Sequence, residues 1–446
     1  LHPTLQTIVG SISQVGTPIR SGSTSYANDV QESGQTTRSE VGKTRSTTTF
    51  GIEGNTHGDT HAVFGTLPRK DFAEIPGMGS NSKSATPKHD HCWSTPLSTT
   101  LKSALKPPPW KALLGGHERK APANTPLHVK PEVIGSLKLD AILELPIPQQ
   151  QRDAFTEARR WVEPSACYDL ISSRLHEIQR KAVNKMQKQH LQRLFDVRKL
   201  VAPEETVIAY CNAFEAFEER EEGNRLRPIM EPLINDLFSK SPEDLLFTTT
   251  KYTSKDSIRR GVLRHDYACQ FDFSAWFDQI PLHEDIRKFF GVKCGAEERT
   301  LAVIPMGYRP SCEIAEAVTD AISNLTLVLQ EPHTQSTCVD NVLYQADTPQ
   351  VVEQAARLFL ARCAHTGARV KDPLVKVVTS YDFIGEHYDH ERKTRALTVK
   401  TALKCEYAAY VTLHRQHFTL RQVMALVGLL LYAASALRLV VGHYHE

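Results

Sequence analysis

The chain has 446 residues, 40% hydrophobic and 23% charged, with 25 prolines. Its mean hydropathy of −0.35 is low for a chain of this length, so part of it is expected not to pack. Lys and Arg number 53 against 51 Asp and Glu, a net charge of +2. That excludes a globally basic, histone-like protein and an acidic solvating tail, so any nucleic-acid surface must come from local clustering.

The 9 cysteines are widely spaced and form no CxxC, which fits neither a disulfide framework nor a zinc ribbon. A reducing, intracellular compartment, cytoplasm or nucleus, is the natural expectation. The chain opens on Leu1 without a basic, apolar, small-residue leader, and it reads as a piece of a longer reading frame.

Residues 1–125 are rich in Ser, Thr, Gly and Pro and show no sustained apolar period. Such a stretch buries too little surface to offset its ordering entropy, and disorder is expected. It contains His89-Asp90-His91-Cys92, half of a zinc pattern whose partner pair does not follow, and a stiff Pro-rich element at 107–110. Order is expected from about Leu137. Residues 126–205 read as a helical extension, with Leu170, Leu175, Ile178, Ala182, Met186 and Leu194 at helical spacing. The opposite face carries Arg174, Arg180, Lys181, Lys185, Lys188, Arg193, Arg198 and Lys199. This is either a solvated face or a contact to phosphates.

An acidic run between Phe214 and Asn224 precedes Arg225-Leu226-Arg227-Pro228-Ile229. Residues 267–273 and 300–304 read as strands, 311–329 as a helix, and 337–344 as a tight hairpin around Asp340. Thr348 as N-cap and Pro349 at the first helical position start another helix, which Gly367 stops. The fold class expected is α+β, helices on one face of an antiparallel sheet. The apolar run at 423–437 is shorter than the roughly 20 residues a bilayer span needs. Its Gly428, Ala433, Ala434 and Ala436 suit close packing. A buried helix is expected there, and no membrane partner.

Two acids stand out. Asp272 lies between Phe271 and Phe273 at the end of an apolar strand, and Asp340 lies at the turn of Cys338-Val339-Asp340-Asn341-Val342. An acid in apolar surroundings is costly unless paired, hydrogen-bonded or bound to a cation. Brought together, two could hold a divalent metal through hard oxygen ligands, as Mg²⁺ requires. Taken separately, each is as readily a structural cap or an ion-pair partner.

Their order within a longer series resembles the palm and fingers of a reverse transcriptase, in the version carried by retrotransposons, over about 224–440. Phe271-Asp272-Phe273 with Phe277 and Gln279-Ile280-Pro281 resembles the first palm motif. Pro305-Met306-Gly307 with Tyr308-Arg309-Pro310-Ser311 resembles the Pro-x-Gly segment. Cys338-Val339-Asp340-Asn341 stands where an aromatic-x-Asp-Asp hairpin is usual. Asp382-Phe383-Ile384-Gly385 resembles the primer-grip strand, and 225–229 with Glu231 and Asn235 the fingers segment. Arg227, Asp272, Gly307, Asp340 and Gly385 keep this order about 45, 35, 33 and 45 positions apart. The 420–437 run further resembles DIRS-like tyrosine-recombinase elements and their VIPER lineage.

The resemblance implies a right-hand polymerase: fingers at 206–265, palm at 266–386 with a fingers insertion at 282–304, and the start of a thumb at 387–446. It implies RNA-directed DNA synthesis, with catalytic Asp272, Asp340 and Asn341 and Mg²⁺ (or Mn²⁺) on Asp272, Asp340 and the Phe273 carbonyl. The deoxynucleotide would meet Arg225, Arg227, Phe277 as a sugar gate, Met306, Gly307 and either Lys371 or Lys376. The RNA or DNA template-primer would meet the Phe383-Ile384-Gly385 grip and Arg174, Lys181, Lys185 and Lys188. Asn341 in place of a second Asp keeps two rivals open, an RNA-templated RNA polymerase and a degenerate palm that only binds nucleic acid.

Overall fold

In the computed structural model, residues 121–414 and 417–437 are described, apart from 123, 219, 221–222 and 241–252, together with the short strand β1 (Thr17–Pro18). The chain divides into two compact units, residues 1–21 with 107–446 and residues 22–106. The second unit lies outside the described residues, as do the 89–92 motif and the 107–110 prolines.

Helices α1 (Leu139–Leu143), α2 (Gln149–Arg159), α3 (Ala166–Arg174) and α4 (Lys188–Asp196) come first. Strand β2 (Leu200–Val201) and the hairpin β3 (Cys211–Glu218) with β4 (Arg225–Pro232) follow, then α5 (Asn235–Lys240) and α6 (Lys255–Arg264). The central part runs β5 (Tyr267–Asp272), α7 (Trp276–Gln279), β6 (Gly291–Cys294), β7 (Glu297–Leu301), α8 (Ser311–Ser323), β8 (His333–Cys338), β9 (Asn341–Ala346) and α9 (Pro349–Thr366). Strands β10 (Ser380–Phe383), β11 (Glu386–Asp389) and β12 (Thr394–Leu397) lead to α10 (Val399–His414) and α11 (Leu420–Leu437).

Among the described residues all strand pairs are antiparallel, so the fold is a mixed helix-and-sheet architecture of the α+β kind. The central sheet has the order β5-β9-β8. Its alternation divides the apolar residues between two cores. Cys269, Phe271, Val342 and Tyr344 face the main core, where α9 lies across the sheet and Phe359 meets Phe271 at 5.0 Å between ring centroids. Ala268 and Leu343 face a second core with Ile258 and Val262 of α6 and Tyr381, Phe383 and Tyr388 of the β10–β11 hairpin.

Helix α9 starts and stops where its caps require. The Thr348 hydroxyl accepts the Val351 N–H at 3.4 Å, and Gly367 ends the helix at φ 75°, a conformation that favours glycine. Helix α8 stops at Ser323, six residues before the expected end, because Asn324 turns the chain: its side-chain oxygen takes the Thr326 N–H at 3.2 Å and hydroxyl at 2.7 Å. The strand expected at 300–304 is Glu297–Leu301, and Val303 continues only as an isolated bridge to Pro281.

Three expectations are corrected. Order begins well before Leu137: residues 126–130 run beside β4, with the Leu226 N–H donating to Pro126 O at 2.8 Å and the His128 N–H to Leu226 O at 2.7 Å. Within 1–125, Thr125 is buried and Thr17–Pro18 pairs with β12. The open edge of β4 supplies hydrogen bonds that composition does not reveal.

The extension is helical, with α1 to α4, but its basic residues do not form one helix face. Between α3 and α4 the chain is largely extended, because β3 offers it backbone partners: Lys185 N–H to Ala213 O at 2.7 Å and Ala213 N–H to Val183 O at 3.0 Å. Asn184 reinforces the break by accepting the Met186 N–H at 2.9 Å. The basic residues scatter accordingly. Arg174 pairs with Glu177, Arg180 with Asp236, and buried Lys199 with Asp278 at 2.6 Å. Lys181, Lys185 and Lys188 stay exposed beside the hairpin, but not as one face of a helix.

Lastly, α11 is not a buried helix. Ala433, Ala434 and Ala436 are buried, whereas Leu420, Met424, Val427 and Leu431 are exposed and Gly428 has open space about it. Only one side finds the β12–α10 layer to pack against. Among the described residues it is the one helix long and apolar enough to cross a membrane by length and composition.

Arg362 on α9 is 6% exposed and donates to the carbonyls of Ile322, Asn324 and Pro146. It ties α9 to the end of α8 and to the α1–α2 connection. Burial pulls its pKa down. Arg362→Leu should strand these acceptors and cost about 1–3 kcal/mol, read as a lower urea midpoint. An unchanged midpoint would mean that the carbonyls find other donors.

Candidate active site

The site forms at the ends of β5 and β9. Asp272 faces Asn341 across the antiparallel pair, and the next step is a backbone bond, Phe273 N–H to Asp340 O at 2.8 Å. The register therefore sets Asp272 and Asp340 side by side. Asp272 is half-exposed, and Lys371 reaches its Oδ2 at 3.1 Å. The Lys371 N–H also donates to Asp272 O at 2.8 Å. Burial pushes the Asp340 carboxyl above the usual aspartate range, and the charge of Asp272 pushes it further; Lys371 and Arg227 act in the opposite sense.

Asn341 does not stand beside Asp340 as a second carboxylate. Its Nδ2 donates to Asp340 Oδ1 at 2.9 Å and to Cys338 O at 3.4 Å. The turn needs Val339 at φ 55°, in the left-handed region a β-branched residue avoids. Two residues of α8 hold it there. Buried Glu316 accepts the Val339 N–H and, at 2.8 Å, the Thr337 hydroxyl, and Thr319 donates to Val339 O at 2.5 Å. Burial pushes the Glu316 carboxyl up against the pull of these donors. Glu316 lies opposite the apolar stripe of Ile314, Val318 and Ala321 on α8, so periodicity does not mark it as a buried acid.

The loop after Asp272 is fixed in the same manner. Ala275 sits at φ 48°, and the ring of Phe273 stacks on Trp276 at 3.8 Å. Fully buried Gln279 donates to Ser274 O at 2.7 Å and Arg369 O at 2.8 Å and accepts the Arg369 N–H at 2.7 Å. Phe277 is half-buried and packs on the main core. Lys130 donates to Ser274 Oγ at 2.7 Å, another residue the motifs do not mark.

Arg225 and Arg227 lie on the outward face of β4, alternating with buried Leu226 and Pro228. Both bind Glu218 across the hairpin, at 2.6 and 2.7 Å. Burial opposes ionisation of Glu218, but hydrogen bonds from Arg220, Arg225 and Arg227 prevail and bring its pKa down to about 2. Met306 is exposed. At Gly307 a Cβ would fall 2.5 Å from Met230 O, so close packing on β4 is what requires glycine. Asn235 holds the same loop, donating to Gly307 O at 2.7 Å and accepting the Arg309 N–H at 3.0 Å.

Of the two candidate lysines, Lys371 joins the acids, whereas Lys376 is drawn to Asp372 at 2.7 Å. Phe383 is buried, and Ile384 (φ 47°) and Gly385 (φ 76°) form the two-residue turn between β10 and β11. Tyr432 of α11 covers this turn, its hydroxyl on Ile384 O at 3.2 Å and 2.5 Å from where a Cβ on Gly385 would lie. Lys181, Lys185 and Lys188 are exposed on and just after the segment that pairs with β3, and Arg174 is held by Glu177.

Among the described residues no group of three or more His, Cys, Asp or Glu side chains converges as a metal site. The donors here are two carboxylates and backbone oxygen. They suit a hard divalent cation: two converging carboxylates, one destabilised by the other's charge, gain from a cation between them.

No protein-family model matches the chain, and no curated protein matches its sequence. Solved structures similar to it include a foamy viral protease-reverse transcriptase dRH in complex with double-stranded DNA, at 14% identity and TM-score 0.43, covering 60% of this chain and 46% of that one. A foamy viral protease-reverse transcriptase with an RNA/DNA hybrid has 14% identity and TM-score 0.43, covering 60% of this chain and 35% of that one. The same type of protein with double-stranded DNA has 16% identity and TM-score 0.42, with 60% and 54% covered. This chain thus spans about half or less of those proteins. Likeness at this level shows neither chemistry nor substrate.

The coupling of the acids has a measurable sign. A carboxyl whose folded pKa is raised contributes stability present below its unfolded pKa and lost as pH rises through the folded one. Asp272→Asn removes a repelling charge, so the Asp340 carboxyl should titrate lower by NMR, and less stability should be lost between acid and neutral pH. If the Asp340 titration does not move, the two carboxylates are not coupled.

Proposed function

We propose that this chain carries the polymerase part of a retrotransposon-type reverse transcriptase, transferring deoxynucleotides to a primer 3′ hydroxyl on an RNA or DNA template. The observation that carries this reading is the juxtaposition of Asp272 and Asp340 by the Phe273–Asp340 backbone bond at one end of a helix-backed antiparallel sheet. In this reading the β5-β9-β8 sheet with α8 and α9 is the palm, and the β3–β4 hairpin belongs to the fingers. The β10–β12 layer supplies the primer grip, and α10 and α11 begin the thumb. DIRS-like ancestry rests on the sequence resemblance alone.

Phosphoryl transfer asks a protein for positioning and charge compensation more than for covalent chemistry. Asp272, Asp340 and the Phe273 carbonyl would hold Mg²⁺ or Mn²⁺, which when bound supplies Lewis-acid charge for the primer hydroxyl and the triphosphate. Arg225 and Arg227 bind phosphate oxygens through charge-assisted hydrogen bonds. Lys371 holds a proton beside Asp272 and is the lysine suited to give it to departing pyrophosphate; Lys376 is occupied by Asp372. Phe277 excludes a 2′ hydroxyl by overlap and offers it no hydrogen bond.

Asp272→Ala and Asp340→Ala should each abolish primer extension with Mg²⁺ or Mn²⁺ while the far-ultraviolet dichroism stays that of the parent. More than a few per cent of residual template-directed activity would sink the assignment. Absence of extension by the parent protein would leave the degenerate, binding-only palm in its place.

Phe277→Val should raise the ratio of ribo- to deoxynucleotide catalytic efficiency by roughly 10- to 100-fold. A core role alone would slow both substrates alike. A parent enzyme that already prefers ribonucleotides would turn the reading to an RNA polymerase.

A further inference from the structure

Helix α7 is a single turn, too short to hold its own orientation, and it carries Phe277. Trp276, Asp278 and Gln279 are buried while Phe277 is half-buried, so the place of its ring depends on what holds the other three. Trp276 Nε1 donates to Ala315 O at 3.3 Å, and Gln279 is bonded to Ser274 and Arg369. Asp278 is held from farther along the chain. Lys199 Nζ donates to its Oδ1 at 2.6 Å across a separation of 79 positions, and the two side chains are only 6% and 12% exposed.

Lys199 is itself fixed by backbone. Its N–H donates to Leu194 O at 2.9 Å and its carbonyl accepts the Ala302 N–H at 3.1 Å, just before β2 pairs with β7. A buried ion pair is a weak source of stability, because apolar residues of similar size often do as well. What a short charge-assisted bond adds is direction: it ties one oxygen of Asp278 to one point beside the β2–β7 pair. Neighbouring residues on a helix stand about 100° apart. A rotation of α7 that freed Asp278 would therefore swing the Phe277 ring with it.

We infer that Lys199 is a positioning residue for sugar discrimination: its bond to Asp278 fixes α7 and thereby sets how closely the Phe277 ring approaches the incoming sugar. The gate itself rests on the polymerase reading; the clamp of Lys199 on α7 does not. The alternative is a pair that only satisfies two buried charges. The two differ in what they move. A pair that only stabilises changes the melting temperature and slows both sugars alike. A pair that places the ring changes the ratio between them.

The test is the ratio of ribo- to deoxynucleotide catalytic efficiency in primer extension by the full chain, from which misfolded enzyme cancels. Lys199→Met keeps the stem and removes the charge, leaving Asp278 to draw α7 toward water. It should raise the ratio roughly 3- to 10-fold, less than removal of the ring itself. On a Phe277→Val background it should add nothing, since no ring is left to place. Asp278→Asn keeps the acceptor for Lys199 and should hold the ratio near that of the parent. An unmoved ratio in Lys199→Met, or an equal rise on the Phe277→Val background, would overturn the inference. Should Lys199→Met fail to fold, Lys199→Gln, whose shorter side chain stops short of Asp278, decides by the same ratio. Hydrogen exchange of residues 274–280 reads the clamp without activity: it should quicken in the Lys199 variant while the rest of the chain keeps its protection. Faster exchange there, in a protein whose parent form extends no primer, would sink the polymerase reading and keep the clamp. Extension by the parent, with ratio and exchange both unmoved in the variant, would overturn the clamp and keep the polymerase.

Discussion

The hydrogen bond from the Phe273 N–H to the Asp340 carbonyl is the constraint on which the site depends. It is the last rung of the β5–β9 ladder, and it exists because Asp272 pairs with Asn341 and Phe271 with Val342. A slip of one residue would turn Phe271 and Tyr344 out of the main core and Leu343 out of the second. The two cores therefore enforce the register, and the register delivers two like charges to one place. Hydrophobic burial on both faces of the sheet sustains an electrostatic cost that neither acid would accept alone.

That cost comes with backbone strain on either side. Ala275 and Val339, at φ 48° and 55°, flank the acids in conformations that cost side-chain-bearing residues roughly 1–3 kcal/mol each. Each is offset by a buried polar group that clamps backbone: Gln279 on the loop after Asp272, Glu316 on the turn before Asp340. A glycine would relieve the dihedral strain but would also free the turn. Strained residues held by buried clamps give a site with little room to reorganise, which suits chemistry done by positioning.

The sequence was most legible where structure is local. The Thr348-Pro349 start and Gly367 stop of α9, the hairpin around Asp340 and the strand ending at Asp272 all follow from signals within a few residues. Legibility failed where a distant partner decides. Residues 178–187 have helical spacing, yet β3 offers them hydrogen bonds and Asn184 turns them. Residues 126–130 sit at the margin of a polar stretch, and it is the edge of β4 that orders them. Spacing could not choose between Lys371 and Lys376, because the choice depends on the loop returning to Asp272 O. Glu316 and Lys130 were invisible for the same reason: each acts on a residue more than 20 positions away.

Asn341 is best understood by the charge it leaves out. A second carboxylate in its place would add a third negative charge to a site where burial and Asp272 already hold the Asp340 carboxyl above its usual range. The amide instead donates to Asp340 Oδ1 at 2.9 Å, so it steadies the ionised form and orients it. The cations nearby are few: Lys371 lies on Asp272, and Arg227 is half engaged by Glu218. With less positive charge in reach, a site of two carboxylates and one amide is closer to balance than a site of three acids. Asn341 thus leaves in place both carboxylates that the backbone register brings together.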